Sequence, residues 1–260
     1  RDPEMSRGLG DVYKRQILKM LLKELLMKVF DLHCDTLYKA VTMSHGFSCS
    51  DYEVQTDVDF EKYLQCFAVW IPDDLSIKQG RALFEKAKIT LPKECKINNI
   101  NLVDSFKEIN NSTKNKLAMF TLENCKIIDN DISYIKYLAD SNIKTATLTW
   151  NDTNCIGDGA MAEHPTGITE FGKKAVCELE NQGIVIDVSH ASDKLFYDVC
   201  EIAEKPFIAT HSNARAVTAH KRNLTDEQAK IIFKNGGIIG LNFHNAVSYT
   251  HLRAHETSQD

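Results

Sequence analysis

An α/β protein whose parallel strands close into a (β/α)8 barrel of the TIM type is what the sequence predicts, and three observations carry that expectation. Short, nearly continuous apolar runs alternate with helical stretches along the chain, a pattern that builds parallel sheets. The runs are apolar on both parities, as strands covered on both faces must be. Five of the seven runs carry His, Asp or Glu at or close to their C-terminal ends. A barrel gathers such ends at one mouth, where active sites lie, whereas an open sheet spreads them out.

In order, the expected strands are Val29–Asp35, Cys66–Ile71, Leu117–Glu123, Thr145–Trp150, Ile184–His190, Pro206–Ser212 and Gly237–Phe243. Helices are expected at Ile77–Ile89, Asp129–Ser141, Ile168–Gln182, Ala191–Glu204 and Thr225–Asn235. Thr225 ahead of Asp226-Glu227-Gln228 is an N-cap signature. Gly183 and Gly236 stand where helices hand over to strands. Only seven strands can be read, so the barrel is expected to lack its last one.

The 260 residues, 43% hydrophobic and 26% charged, suit one sizeable α/β domain or a small pair of domains. A net charge of -5 argues against a nucleic-acid partner and leaves a small molecule or peptide. Eight cysteines without a CxxC pair are too sparse for a disulfide-stapled domain and unsuited to a thiolate metal site. A reducing cytoplasm is the expected location. Ile17–Phe30 is apolar but too short, and with Lys19, Lys23, Glu24 and Lys28 too charged, to span a bilayer.

Both ends differ from the rest. Residues 1–26 are expected to be a non-native or upstream extension, with a natural start at Met27, and 248–260 a non-native tail. The domain proper then runs over 27–247. His251, His255 and Glu256 imitate a metal-binding helix but fall in that tail, where the pattern is read as fortuitous.

The chemistry sits at the strand ends. His33 and Asp35 lie two apart on the first strand and point to one side. Glu123 closes the third run, where a buried carboxylate is costly unless paired or ligating. His190 and His211 close the fifth and sixth. Each alone is a weak signal. Together, three imidazoles and two carboxylates suffice for two metals bridged by one carboxylate, and the donors suit a borderline cation such as Zn²⁺.

The order and context of these segments resemble the membrane (renal) dipeptidase family of zinc peptidases, in the manner of a bacterial-type member. The segments are Phe30-Asp31-Leu32-His33-Cys34-Asp35-Thr36-Leu37, Leu122-Glu123-Asn124, Asp187-Val188-Ser189-His190, Ala209-Thr210-His211-Ser212-Asn213-Ala214-Arg215 and Arg222-Asn223-Leu224-Thr225-Asp226. The resemblance runs from about Val29 to Asn245. It implies that His33 and Asp35 hold one zinc, that His190 and His211 hold the other, and that Glu123 bridges the two. It also implies that Arg222 holds a dipeptide carboxylate, a task a guanidinium fork suits. Asp187 is expected to orient a neighbour or satisfy backbone. Members of the family often dimerise, so a homodimer is a further expectation.

Two departures stand out. Some members carry a His after the Leu-Thr of the fourth strand, where this chain has Trp150, a non-ionising residue with one indole donor. Trp150 is read as a pocket wall and Asn151 as a substrate contact. The family's closing strand carries a Gly-Ser-Asp-Phe-Asp-Gly-like segment whose first Asp handles the proton, and Leu241-Asn242-Phe243-His244-Asn245 does not match it. The catalytic acid/base is therefore expected beyond the end of the chain and is not assigned to a residue here. The rival readings are another barrel metallohydrolase, a deaminase or lactonase, or an inactive metal-binding fragment. Those enzymes usually show HxH on the first strand, so the HxD of His33 and Asp35 argues against them.

Overall fold

A computed structural model describes residues 28–43, 46–47, 62–244 and 247. The readings of 1–26 and 248–260, including His251, His255 and Glu256, fall outside them. The elements are β1 (Lys28–Cys34), α1 (Thr36–Met43), β2 (Lys62–Trp70), α2 (Ile77–Ile97), β3 (Asn101–Leu102), α3 (Phe106–Asn111), β4 (Lys116–Glu123), α4 (Ser133–Asp140), β5 (Ile143–Thr147), α5 (Glu170–Asn181), β6 (Val185–Asp187), α6 (Asp193–Ile202) and α7 (Asp226–Lys234).

The strands form a parallel sheet in the order β1-β2-β4-β5-β6, with β3 beside the first half of β4. Single parallel bridges, Asp187 with Ile208 and Ala209 with Ile239, carry the sheet further round. The result is a half-barrel of parallel strands with helices outside it. The expected runs Pro206–Ser212 and Gly237–Phe243 keep ladder bonds at Ala209, Gly240 and Ser212 but too few consecutive residues stay in register to make full strands. The run expected to reach His190 stops at Asp187. There the side chain of Asp187 captures the Ser189 N–H and His190 turns into the left-handed region at φ 68°.

Sequence chemistry accounts for the helix limits. Ser76 and Thr225 close capping boxes with Gln79 and Gln228, each cap contributing about 1 kcal/mol. The helix expected to end at Ile89 continues to Ile97 through Pro92, because Leu91 and Cys95 extend its buried face. Losing one helical hydrogen bond at Pro92 costs less than exposing that face. Gly183 and Gly236 do end helices, at φ 73° and 81°.

The main core lies between sheet and helices, around Leu37, Phe67, Phe84, Ile127, Leu138 and Phe196. β2 is buried along both faces, which explains its unbroken apolar run. On the inner face, Cys66, Met119, Val185 and Ile208 line a cavity of about 310 Å³ at the N-terminal end of the strands, opposite the polar strand ends. Among the described residues no helix is long and apolar enough to cross a membrane.

Candidate metal centre

Register sets the inner layer at the C-terminal mouth. Trp70, Glu123, Thr147 and Asp187 are successive cross-strand partners from β2 to β6. Their side chains share the face that lines the cavity lower down, since parity alternates along each strand. His33 joins them through a bulge. β1 fits one extra residue between Asp31 and Cys34 against Gln65–Phe67 of β2. Asp31 turns to Gln65 and Tyr63, at 2.8 and 3.3 Å. The extra residue re-aims His33 to the mouth.

Three imidazoles converge on one carboxylate. Glu123 Oε1 lies 2.9 Å from His190 Nε2 and 3.4 Å from His211 Nε2, and Oε2 lies 3.6 Å from His33 Nε2. The two imidazole nitrogens of His190 and His211 face each other at 3.0 Å, and the rings of His33 and His211 stack at 3.9 Å. Asp35 reaches His33 Nε2 with Oδ1 at 3.4 Å. His33, Glu123 and His211 offer ligand atoms all within 4.8 Å of one another. All five residues that the sequence singled out as metal ligands therefore meet at one mouth, with Asp35 the most exposed of them.

The donor set fits a cation. Glu123 is 3% exposed, and imidazole nitrogens are its polar neighbours among the described residues. The carboxamide oxygen of Asn151 can only accept, so at 3.3 Å it takes the Nδ1–H of His190 and leaves Nε2 as a lone pair toward Glu123. Burial, then the nearby charge of Arg222, push His190 well below its ordinary pKa, and burial, His33 and Arg222 do the same for His211. Both are thus neutral, the form that binds metals. Burial works against a charge on His33, but Glu123 and Asp35 outweigh it and raise that imidazole to about 9. Two carboxylates in this pocket require positive charge; a metal ion competes with that proton.

Around the cluster stand the residues expected to meet substrate. Arg222 is buried, and no hydrogen bond or ion pair joins its guanidinium to another described residue. Burial pulls it down to about 10, against the opposing pull of Glu123 and Asp187. Its loop is held by Arg215, whose Nε donates to Asn223 O at 2.8 Å and whose guanidinium forks onto Asp193 at 2.7 and 2.8 Å. Trp150 forms a wall beside His190, ring centroids 6.0 Å apart, and packs on Trp70 at 4.8 Å, which in turn packs on Tyr38 at 4.7 Å. Asn151 is engaged by His190 rather than left open. No sequence pattern marks Tyr38 for the site, and the signal for Trp70 is its place at a strand end, shared with the ligand residues.

Comparison with known proteins agrees with this geometry. Residues 16–257 match the model of the membrane dipeptidase family, peptidase family M19. The chain is 31% identical over 153 residues to an uncharacterised protein of the PQQ-III 3' region of Acinetobacter calcoaceticus, covering 56% of this chain and 49% of that protein. It is 31% identical over 161 residues to human dipeptidase 3, covering 60% of this chain and 33% of that one. The chain thus spans between a third and a half of the length of these relatives. In fold it resembles a metallo peptidase from Rhodobacter sphaeroides liganded with a phosphinate mimic of L-Ala-D-Ala, with TM-score 0.73, 21% identity and coverage of 85% of this chain and 75% of that one. It also resembles dipeptidase AC, with TM-score 0.74, 22% identity and coverage of 86% and 74%. With a parallel half-barrel, imidazoles and carboxylates meeting at its mouth and a family match over most of its length, the chain belongs to the membrane dipeptidase family, M19.

Proposed function

We propose that the protein is a zinc-dependent dipeptidase with a dinuclear centre, held by His33 and Asp35 on one side, His190 and His211 on the other, and bridged by Glu123. The sheet is, in this reading, part of a (β/α)8 barrel. The observation that carries the proposal is the convergence of three imidazole Nε2 atoms on the buried Glu123 carboxylate, 2.9 to 3.6 Å away. Two zinc ions there supply Lewis acidity and a nucleophile at neutral pH.

The chain's own residues do the rest. Arg222, buried beside the cluster, takes the substrate's C-terminal carboxylate through a charge-assisted fork. That contact sets the scissile carbonyl over the cluster and accounts for a guanidinium buried without a described partner. Trp150 and Trp70 wall the mouth and exclude water, which strengthens the charge interactions within. Asn151 holds the His190 ring in its ligating tautomer. The Rhodobacter sphaeroides structure, with its mimic of L-Ala-D-Ala, supports the same ligand class. The seven described cysteines are free, which supports the cytoplasm as the place of action.

The test is an assay of zinc-loaded protein against dipeptides, the same dipeptides amidated at the C-terminus, lactones and aminopurines. Cleavage of free dipeptides alone is expected. Equal turnover of the amidated forms overturns the role of Arg222, and turnover of lactones or aminopurines overturns the reaction class.

A further inference from the structure

Asp187 is wholly buried, yet it is neither one of the imidazole cluster nor the arginine beside it. Its Oδ1 accepts from the backbone N–H of Ser189 and of Thr210, both at 2.9 Å. Its Oδ2 accepts from the hydroxyls of Thr147 at 2.5 Å and Thr210 at 2.6 Å. Two backbone N–H groups, which can only donate, and two hydroxyls surround the carboxyl, and hydrogen bonds donated to the charged form favour it. An ionised carboxylate only accepts, so both hydroxyls must give it their protons.

That direction passes down a chain. Thr210 Oγ1 has one hydrogen and gives it to Asp187. At 2.7 Å from His211 Nδ1, the same oxygen can only accept, so Nδ1 carries the proton. Ser189 Oγ accepts from the His211 backbone N–H at 3.1 Å and donates to Thr210 Oγ1 at 3.3 Å, which completes the set. His211 Nε2 is left as a lone pair, 3.0 Å from His190 Nε2 and 3.4 Å from Glu123 Oε1.

We propose that Asp187 is a positioning residue which, through the Thr210 hydroxyl, fixes His211 in the tautomer whose Nε2 binds metal. The proposal rests on the metal-centre reading of the cluster. The same carboxylate pins both turns that bear the imidazoles, Ser189–His190 and Thr210–His211. This explains why the left-handed His190 is held without a glycine.

Asp187→Asn keeps the shape and reverses the chain. The Asn oxygen still serves the two backbone N–H groups, while its NH₂ must donate to both hydroxyls. Thr210 then donates to His211 Nδ1 and drives the proton to Nε2, where it blocks ligation.

The experiment is ¹⁵N–¹H correlation of histidine-labelled, metal-free protein, with His211 assigned by its loss in His211→Gln, together with zinc affinity by chelator competition. The wild type is expected to show His211 protonated on Nδ1. Asp187→Asn is expected to show it on Nε2, with zinc binding weakened about 10- to 100-fold. Thr210→Val is expected to lose the single tautomer and weaken zinc, and Thr210→Ser to restore both. Should Asp187→Asn not fold, the Thr210 pair decides. A wild-type tautomer and affinity in Asp187→Asn or Thr210→Val overturns the proposal. A wild type that keeps the Nδ1 proton but binds no zinc overturns the metal reading instead.

Discussion

Oε1 of Glu123 and Nε2 of His190 lie 2.9 Å apart although β5 runs between the strands that lead to them. In a flat sheet, strands once removed stand about 9–10 Å apart. Curvature of the half-barrel tips both side chains toward one axis, and the cluster exists because of that curvature.

Glu123 is the hub of the cluster, so its charge governs metal binding. Glu123→Gln keeps the shape and removes the charge. Zinc content measured by mass spectrometry is expected to fall, with affinity reduced beyond the roughly 10- to 100-fold that loss of an outer-shell partner costs. Unchanged zinc content contradicts this.

Arg222 carries a buried charge that meets no described partner, so it contributes little to stability and much to binding. Arg222→Met keeps the apolar stem and drops the charge. Loss of a charge-assisted hydrogen bond, about 1.5–3 kcal/mol, corresponds to about a 10- to 150-fold fall in kcat/KM for dipeptides. The melting temperature is expected to hold or rise, because an unpaired buried charge is costly. A variant that loses stability and keeps its KM counts against the assignment.

Gly159 passes beneath the Trp150–Asn151 wall. A Cβ there would stand 2.2 Å from the Trp150 carbonyl oxygen and 2.4 Å from the Asn151 carbonyl carbon, backbone atoms that must move. Gly159→Ala is expected to cost about 1–3 kcal/mol of stability and to raise KM. Trp70 and Trp150 are the chain's two tryptophans, so the shift should also change intrinsic fluorescence. An unaltered emission and KM means the wall does not face substrate.

Asp193 ties the Arg222 loop to α6 through Arg215. The Arg215 guanidinium holds the Asp193 carboxyl below its usual 3.8. A depressed carboxylate pKa adds stability above the unfolded value and loses it as pH falls through the folded one. Asp193→Asn should therefore lower stability at neutral pH, by at most about 1 kcal/mol for so exposed a pair. The gap in melting temperature should close as the pH falls below 3.8. A gap that widens on acidification shows that another group is responsible.

Much of this was legible in the sequence, and the exceptions have physical causes. Glu123, His190 and His211 are each a weak signal, and they stand out because they recur together at the ends of apolar runs. The position of His33 depends on a bulge between Asp31 and Cys34 that leaves no local mark. β3 has two residues and α1 eight, too short for periodicity to show. Thr147 and Thr210 read as ordinary strand formers, and only their distances to Asp187 reveal a relay. Arg222 by itself reads as a loop charge, and only the family resemblance singles it out; the hold of Arg215 on Asn223, which fastens its loop, leaves no mark in the sequence.

The most direct test is anomalous diffraction at the zinc edge from crystals of the zinc-loaded protein. Two peaks about 3.5–4 Å apart are expected on either side of Glu123, one against His33 and Asp35 and the other against His190 and His211. Absence of density within ligand reach of Glu123, or one ion that leaves either histidine set unbound, contradicts the dinuclear centre.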